Sequence, residues 1–352
     1  MKILKKKDLD ERKKKVLQAI VEEYINTAEP VSSGSITKGH GLDYSSATIR
    51  NDMAQLENIG FLDKPHTSAG RVPSAEGYRY YVNELLKEDN FYSHVANCAR
   101  VCYASNNNSN INDEQFCKNV LIANNHLSMF RHATIYCKYD KDYWDRHIVD
   151  NYFYFATNIE IIDNEDLYVV MNGQSYLEFK RNNIVKYNEI AKHIIKDLPD
   201  DLKEYKRFTF KVTTQISTSR ELNRVSPNNI AERSTRYCNY SKDKFNNQIS
   251  ICKPYYYDNL EIADQLAFIN RMSEYESNYL NRINRGWGPE DAREFLPLCT
   301  ATEVIYTYTV KEWRHIIDLR YYGTTGKPHP NAKIIAGLIR DQLIYLGYKF
   351  RD

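Results

Sequence analysis

The chain has 352 residues, with 48 Lys and Arg against 46 Asp and Glu and a net charge of +2. A hydrophobic fraction of 42% beside 27% charged residues excludes a disordered chain and a membrane bundle. No run approaches the ~18 to 20 apolar residues of a bilayer span, and the basic stretch Met1 to Asp8 has no apolar segment behind it, so neither membrane insertion nor a signal peptide is expected.

Residues 11–27 carry Val16, Leu17, Ile20, Val21, Tyr24 and Ile25 at the spacing of an amphipathic helix, with Pro30 beyond its end. A short helix is expected over Ser33 to His40, stopped by Gly41. Ser45 or Ser46 is a suitable N-cap for a third helix, whose Ile49, Met53 and Leu56 repeat at helical spacing until Gly60. Phe61 to Val72 reads as two short strands around Ser68-Ala69-Gly70, and a last helix is expected from Ser74 to Leu86. That order predicts a winged helix-turn-helix over residues 1–88, ending at the polar joint Lys87 to Asn90. Residues 91–352 are long enough for a core of their own. They mix expected helices (112–126, 258–284, 288–296, 329–346) with alternating strands such as Arg207 to Thr214, which predicts an α+β domain. The stretch 140–206 shows little periodicity. Seven scattered cysteines without a C-x-x-C pair argue against a disulfide framework and structural zinc, and fit a reducing cytoplasm.

In a helix-turn-helix the second helix turns its first residues to base edges, while basic wing residues meet phosphates. Ser45, Ser46, Thr48, Arg50 and Asn51 begin that helix, and Lys64, His66 and Arg71 flank the wing. These eight are the expected DNA-binding residues. Winged helices also serve as protein-docking modules, and then the same residues are a solvated face. The run SSATIRNDMAQLE, followed by GFL and PHTSAGRVP, resembles the DNA-binding domain of heat-inducible transcription repressors of the HrcA type over residues 8–88. The resemblance implies binding to an inverted-repeat operator as a dimer. That family's sensory and dimerising C-terminal region does not follow, so dimerisation is expected from residues 91–352.

Further along, Arg224, Ser234 and Arg236 lie close in sequence, with Glu232 among them. Guanidinium forks and hydroxyls suit a nucleotide monophosphate better than a metal. The alternative is a salt-bridged surface loop in which Glu232 pairs with Arg233 or Arg236. Three blocks occur in order: Ala99 to Ser105 with His126 to Thr134, Arg224 to Tyr237, and Gly288 to Pro297 with Lys311 to Arg320. They resemble flavin-dependent thymidylate synthases of the ThyX type over about residues 91–350. The family signature Arg-His-Arg-x-x-Ser-x-Asn-Glu-x-Ser-x-Arg-Tyr is matched by Arg224, Glu232, Ser234, Arg236 and Tyr237. It is altered at Val225, Ser226, Asn229 and Ala231, and the leading motif carries Arg131 where the family has Glu.

The resemblance implies an α+β, multidomain protein: an N-terminal winged helix-turn-helix followed by a thymidylate-synthase-complementing-like domain. It implies a homotetramer or homodimer that binds FAD and converts dUMP to dTMP with methylenetetrahydrofolate and NADPH, the reduced flavin relaying a methylene unit and a hydride. Glu232, Ser234, Arg236, Arg293 and Arg320 would bind dUMP, and His126, Ser128, Arg224 and His315 would line the FAD. Arg293, which would polarise the pyrimidine, and Arg224 are the expected catalytic residues. The altered signature favours a second reading, a repressor whose degenerate synthase-like domain oligomerises and senses a nucleotide; the two parts could also be joined without coupling. No metal site is expected, since His315, Asp318 and His329 lack ligand-like spacing. Tyr255 to Tyr257 are expected to pack, and Cys238 to be a small core residue.

Overall fold

The computed structural model of the chain describes residues 9–27, 29–39, 44–65, 70–81, 90–104, 112–148, 152–153, 159–224 and 229–351. Contacts divide it into residues 1–90 with 342–351, and residues 91–341.

In the first unit, α1 (Glu11–Thr27), α2 (Ser33–Gly39) and α3 (Ser46–Asn58) are followed by β1 (Leu62–Asp63), β2 (Val72–Pro73) and α4 (Ala75–Tyr80). The helical stripe of α1 does what its spacing predicts: Val16, Leu17, Ile20 and Val21 are fully buried against Ile36, Ile49 and Leu56. β1 and β2 pair antiparallel, and Val31 exchanges two 2.8 Å backbone hydrogen bonds with Arg71. Two glycines permit this packing. A Cβ on Gly70 would collide with the Val31 carbonyl, and one on Gly77 with the Phe61 carbonyl. Three helices, a paired wing and a closing helix make this a winged helix-turn-helix. The expected closing helix is seen over Ala75–Tyr80, and residues 82–89 lie outside the described residues.

The second unit begins with α5 (Asn90–Tyr103) and α6 (Asp113–Phe116), which continues as a π-helical turn over Cys117–Ile122 and leads to a 3₁₀ segment, Leu127–His132. Then come β3 (Thr134–Tyr139), α7 (Lys141–His147), β4 (Ile159–Asp163), β5 (Leu167–Asn172), α8 (Gly173–Asn182), α9 (Ile184–Lys192) and β6 (Ile194–Ile195). These strands form an antiparallel sheet in the order β4-β5-β3-β6. β5 is buried along its whole length, which explains why its region gave no alternating pattern: a strand covered on both faces reads as a continuous apolar run.

A second antiparallel sheet joins β7 (Arg207–Gln215), β8 (Ile230–Glu232) and β9 (Ala301–Thr309) in the order β7-β9-β8. Helix α10 (Ile216–Leu222) precedes β8, while α11 (Ile262–Asn284) and α12 (Pro289–Ala292) lie between β8 and β9. Helix α13 (Val310–Ile317) starts in a capping box between Thr309 and Glu312. Its Trp313 is buried against Phe210 and Tyr308 and donates to the Phe208 carbonyl at 3.2 Å. Helix α14 (Pro330–Tyr345) closes the chain. Cys238 is fully buried, as expected of a small core residue; Tyr255 and Tyr256 are half-exposed, with the Tyr255 ring 5.6 Å from that of His329, and the Tyr257 ring packs 5.4 Å from that of Phe268. No helix among the described residues is long and apolar enough to cross a membrane.

Candidate functional site

At the start of α3, Ser45 is the N-cap: its Oγ accepts from the Thr48 N–H at 3.1 Å and bonds the Thr48 hydroxyl at 2.9 Å. Ser46 Oγ lies 3.0 Å from Ser33 Oγ on α2. All three hydroxyls, expected at base edges, have hydrogen-bond partners within the unit. Arg71, expected at phosphates, makes an ion pair, its Nε 2.6 Å from Glu57. Arg50, Asn51 and Lys64 are exposed. His66 lies outside the described residues. Asp52, on the inner face of α3, is fully buried and takes Arg12 bidentately at 2.8 and 3.1 Å.

In the second unit, the end of α10 gathers one group of predicted residues. Glu232 Oε1 accepts from Ser219 Oγ at 2.6 Å and Thr302 Oγ1 at 3.3 Å, and Oε2 from Asn223 Nδ2 at 3.1 Å. Asn223 Oδ1 in turn accepts from the Tyr306 hydroxyl at 2.9 Å. The pairing of Glu232 with Arg233 or Arg236 does not occur: Arg233 bonds Glu303 at 2.5 Å instead. Arg320 donates from Nε and Nη2 to the Glu221 carbonyl, at 3.3 and 2.9 Å, and so reaches the same helix end that Arg224 follows.

A second group forms where the signature turn meets α5. Ser234 N–H donates to the Cys102 carbonyl at 2.9 Å, and Ser234 Oγ accepts from the N–H groups of Arg236 and Tyr237 at 3.2 and 3.3 Å. The Tyr237 ring lies 5.5 Å from that of Tyr103, with the Arg236 guanidinium 5.4 Å from the Tyr237 ring. The Tyr103 hydroxyl is 3.3 Å from His126 Nδ1. Thus His126, Ser234 and Arg236 converge through Tyr103. Ser128, Arg224, Arg293 and His315 are exposed, and their side chains make no hydrogen bond or ion pair among the described residues. The structure does not bring Arg293 and His315 into either group within one chain.

Behind these groups runs a polar core. His132 Nδ1 lies 2.8 Å from Thr307 Oγ1, Thr307 bonds Thr209 at 2.8 Å, and Thr209 lies 3.2 Å from His94 Nε2. Desolvation lowers His94 to about 4 and holds buried His132 well below its ordinary value. Arg207 donates to the carbonyls of Ala133 and Arg131, both at 2.7 Å. Arg131, standing where the resembled family has Glu, donates to Gln174 at 2.7 Å. A cavity of about 340 Å³ opens beside the signature strand, lined in part by Asn172, Arg207, Asn229, Thr309 and Glu312. Asn172 Nδ2 and Asn229 Oδ1 are buried with no hydrogen-bond partner among the described residues. Val225 and Ser226 lie outside the described residues.

Sequence reasoning missed Tyr103, Ser219, Asn223 and Thr302. Ser219 and Asn223 left a signal, standing four residues apart on one helical face just ahead of Arg224. Thr302 left none, because its role depends on strand pairing across seventy residues.

The chain is thus a winged helix-turn-helix followed by an α+β domain with two groups of polar residues around the signature motif. The family model described as thymidylate synthase complementing protein matches residues 159–343, more than half the chain. The chain belongs to that family. Its N-terminal part is similar to the heat-inducible transcription repressor HrcA of Acetivibrio thermocellus, 60% identical over 80 residues that make up 23% of each chain. It is similarly related to that of Carboxydothermus hydrogenoformans, 52% identical over 101 residues, 29% of this chain and 30% of that repressor. The chain thus spans less than a third of these repressors' length. Among solved structures, the UMP/dUMP methylase PolB from Streptomyces cacaoi bound with 5-Br dUMP matches with a TM-score of 0.32 and 19% identity, over 41% of this chain and 69% of that one.

Proposed function

We propose that the chain is an FAD-dependent thymidylate synthase, converting dUMP to dTMP with methylenetetrahydrofolate and NADPH, that also carries a DNA-binding winged helix. The observation that carries this reading is the meeting of Glu232 and Arg320 with the end of α10, which Arg224 follows in sequence, just ahead of the turn bearing Ser234 and Arg236. Ser234, Arg236 and Arg320 supply the charge and donors a nucleotide phosphate takes, Glu232 accepts from the sugar, and Arg293 meets the pyrimidine. His126, Ser128, Arg224 and His315 offer imidazole, hydroxyl and guanidinium groups that suit FAD, and orphaned Asn172 Nδ2 and Asn229 Oδ1 are a donor and acceptor suited to a planar ring edge. FAD, when bound, supplies the methylene and hydride transfer chemistry; the protein's residues bind and orient. Because Arg293 and His315 join neither group within one chain, a homotetramer or homodimer that completes the site from several copies fits this reading. Arg50, Asn51 and Lys64 are the residues most open to an operator.

A second reading rests on a specific observation. Arg131 donates to Gln174 where the resembled family has a carboxylate, and Val225 and Ser226 replace two basic signature residues. Lost donors of this kind cost ~2.7 to 4 kcal/mol each in transition-state stabilisation. The domain would then sense dUMP or dTMP and regulate operator binding. The deciding experiment follows dUMP-dependent NADPH oxidation and dTMP formation with FAD and methylenetetrahydrofolate supplied. Formation of dTMP establishes the synthase. Binding of dUMP without dTMP replaces it with the sensor, and absence of dUMP binding defeats both.

A further inference from the structure

Two cysteines unused by the nucleotide groups face one another across a short antiparallel pair. Ile251 stands opposite Thr300. The Cys252 N–H donates to the Cys299 carbonyl at 2.9 Å, and the Ala301 N–H to the Ser250 carbonyl at 2.7 Å. Residues directly opposite in such a pair turn their side chains to the same face. Cys252 and Cys299 are therefore cross-strand neighbours, at a site where Cα atoms stand ~5.5 Å apart, inside the ~4.4 to 6.8 Å that a disulfide spans. Both thiols are free and partly buried. Cys299 Sγ rests 3.4 Å from Met272 Sδ.

We propose that Cys252 and Cys299 form a reversible disulfide when the protein meets an oxidising small-molecule disulfide. One cysteine thiolate attacks the oxidant and expels one of its sulfurs as a thiol. The second cysteine then attacks the mixed disulfide and expels the other. The protein loses two protons and two electrons, and the oxidant leaves as two thiols. The bond joins two segments with different attachments. Ile249 N–H donates to Glu276 on α11 at 2.9 Å. On the opposite side, the Thr300 and Leu298 carbonyls accept from Ile216 and Ser217 at the start of α10, at 3.1 and 3.0 Å. Because α10 bears Ser219, the link would fix the base of the helix that holds Glu232.

The test treats the full chain with oxidised glutathione, alkylates the remaining thiols and digests with trypsin. Fragments 245–271 and 294–311 contain one cysteine each, Cys252 and Cys299. They are expected as one linked species that separates on reduction. The thermal midpoint should rise by roughly 5 to 10 °C, since the cross-link closes a long loop, and fall back on reduction. Cys252→Ser and Cys299→Ser should each abolish the link and the rise. If either variant fails to fold, the fragment map of the unaltered protein still decides. Alkylation or glutathionylation of both cysteines without a link overturns the proposal, as does a link found only in covalent dimers.

Discussion

Asp52 in the first unit and Glu232 in the second are carboxylates enclosed by the fold, and they are satisfied in different ways. Asp52 is held by the fork of Arg12, a charged pair that fastens α1 to α3. Glu232 is held by two hydroxyls and an amide, all neutral. A charged, bidentate pair is a fixed joint. Neutral donors can be exchanged for those of a ligand, since one hydrogen bond to the carboxylate, worth ~1.5 to 3 kcal/mol, is replaced by another. The first unit thus keeps its supporting polar groups apart from its outward-facing ones. On the proposed reading, the second uses Glu232 both for support and for its site.

That contrast can be broken experimentally, and the largest effect expected comes from the first unit's core. Ile20→Ala removes a fully buried side chain and should cost about 2 to 5 kcal/mol. Operator binding should vanish in gel-shift assays while dUMP binding by the second unit persists; loss of both would show that the units do not stand apart.

Acidification should strike the other unit. His94 is lowered to about 4 from an ordinary 6.5, so below pH 6.5 the unfolded chain takes up a proton that the folded unit refuses. Its contribution is full above 6.5 and is lost as pH falls toward about 4, at about 1.4 kcal/mol per pH unit. Unfolding midpoints recorded from pH 7 to 4.5 should fall with that sign, and a His94→Gln variant should flatten the slope.

Arg50→Ala should weaken operator binding about tenfold and leave the thermal midpoint unchanged, because Arg50 is exposed. The smallest change is expected from Glu232→Gln, about 1 kcal/mol of stability, yet it should also weaken dUMP binding in equilibrium titration. An effect on only one of the two would remove the double use of Glu232.

The first unit was readable almost residue by residue, since α1 and α3 are amphipathic and their stripes are local. Pattern alone did not show the hydrogen bonds of Ser45, Ser46 and Thr48 within the unit, because N-cap and base-contact residues are chemically the same. In the second unit, strand β7 and the helices around 262–284 and 330–345 were legible from pattern. The sheet β4-β5-β3-β6 was not, because β5 is covered on both faces and β6 is two residues long. The nucleotide groups were visible as residues but not as geometry: Arg233 turning to Glu303, and Arg320 to a carbonyl, depend on pairing between distant strands and helices.

The three bonds already made to Glu232 have a calorimetric consequence. On the proposed dUMP reading, a sugar hydroxyl arriving at that carboxylate would compete with the Ser219 and Asn223 contacts. The heat released there on binding is then small, and most of the measurable enthalpy belongs to the phosphate end, at Ser234 and Arg236. Nucleosides lacking a phosphate would bind almost athermally.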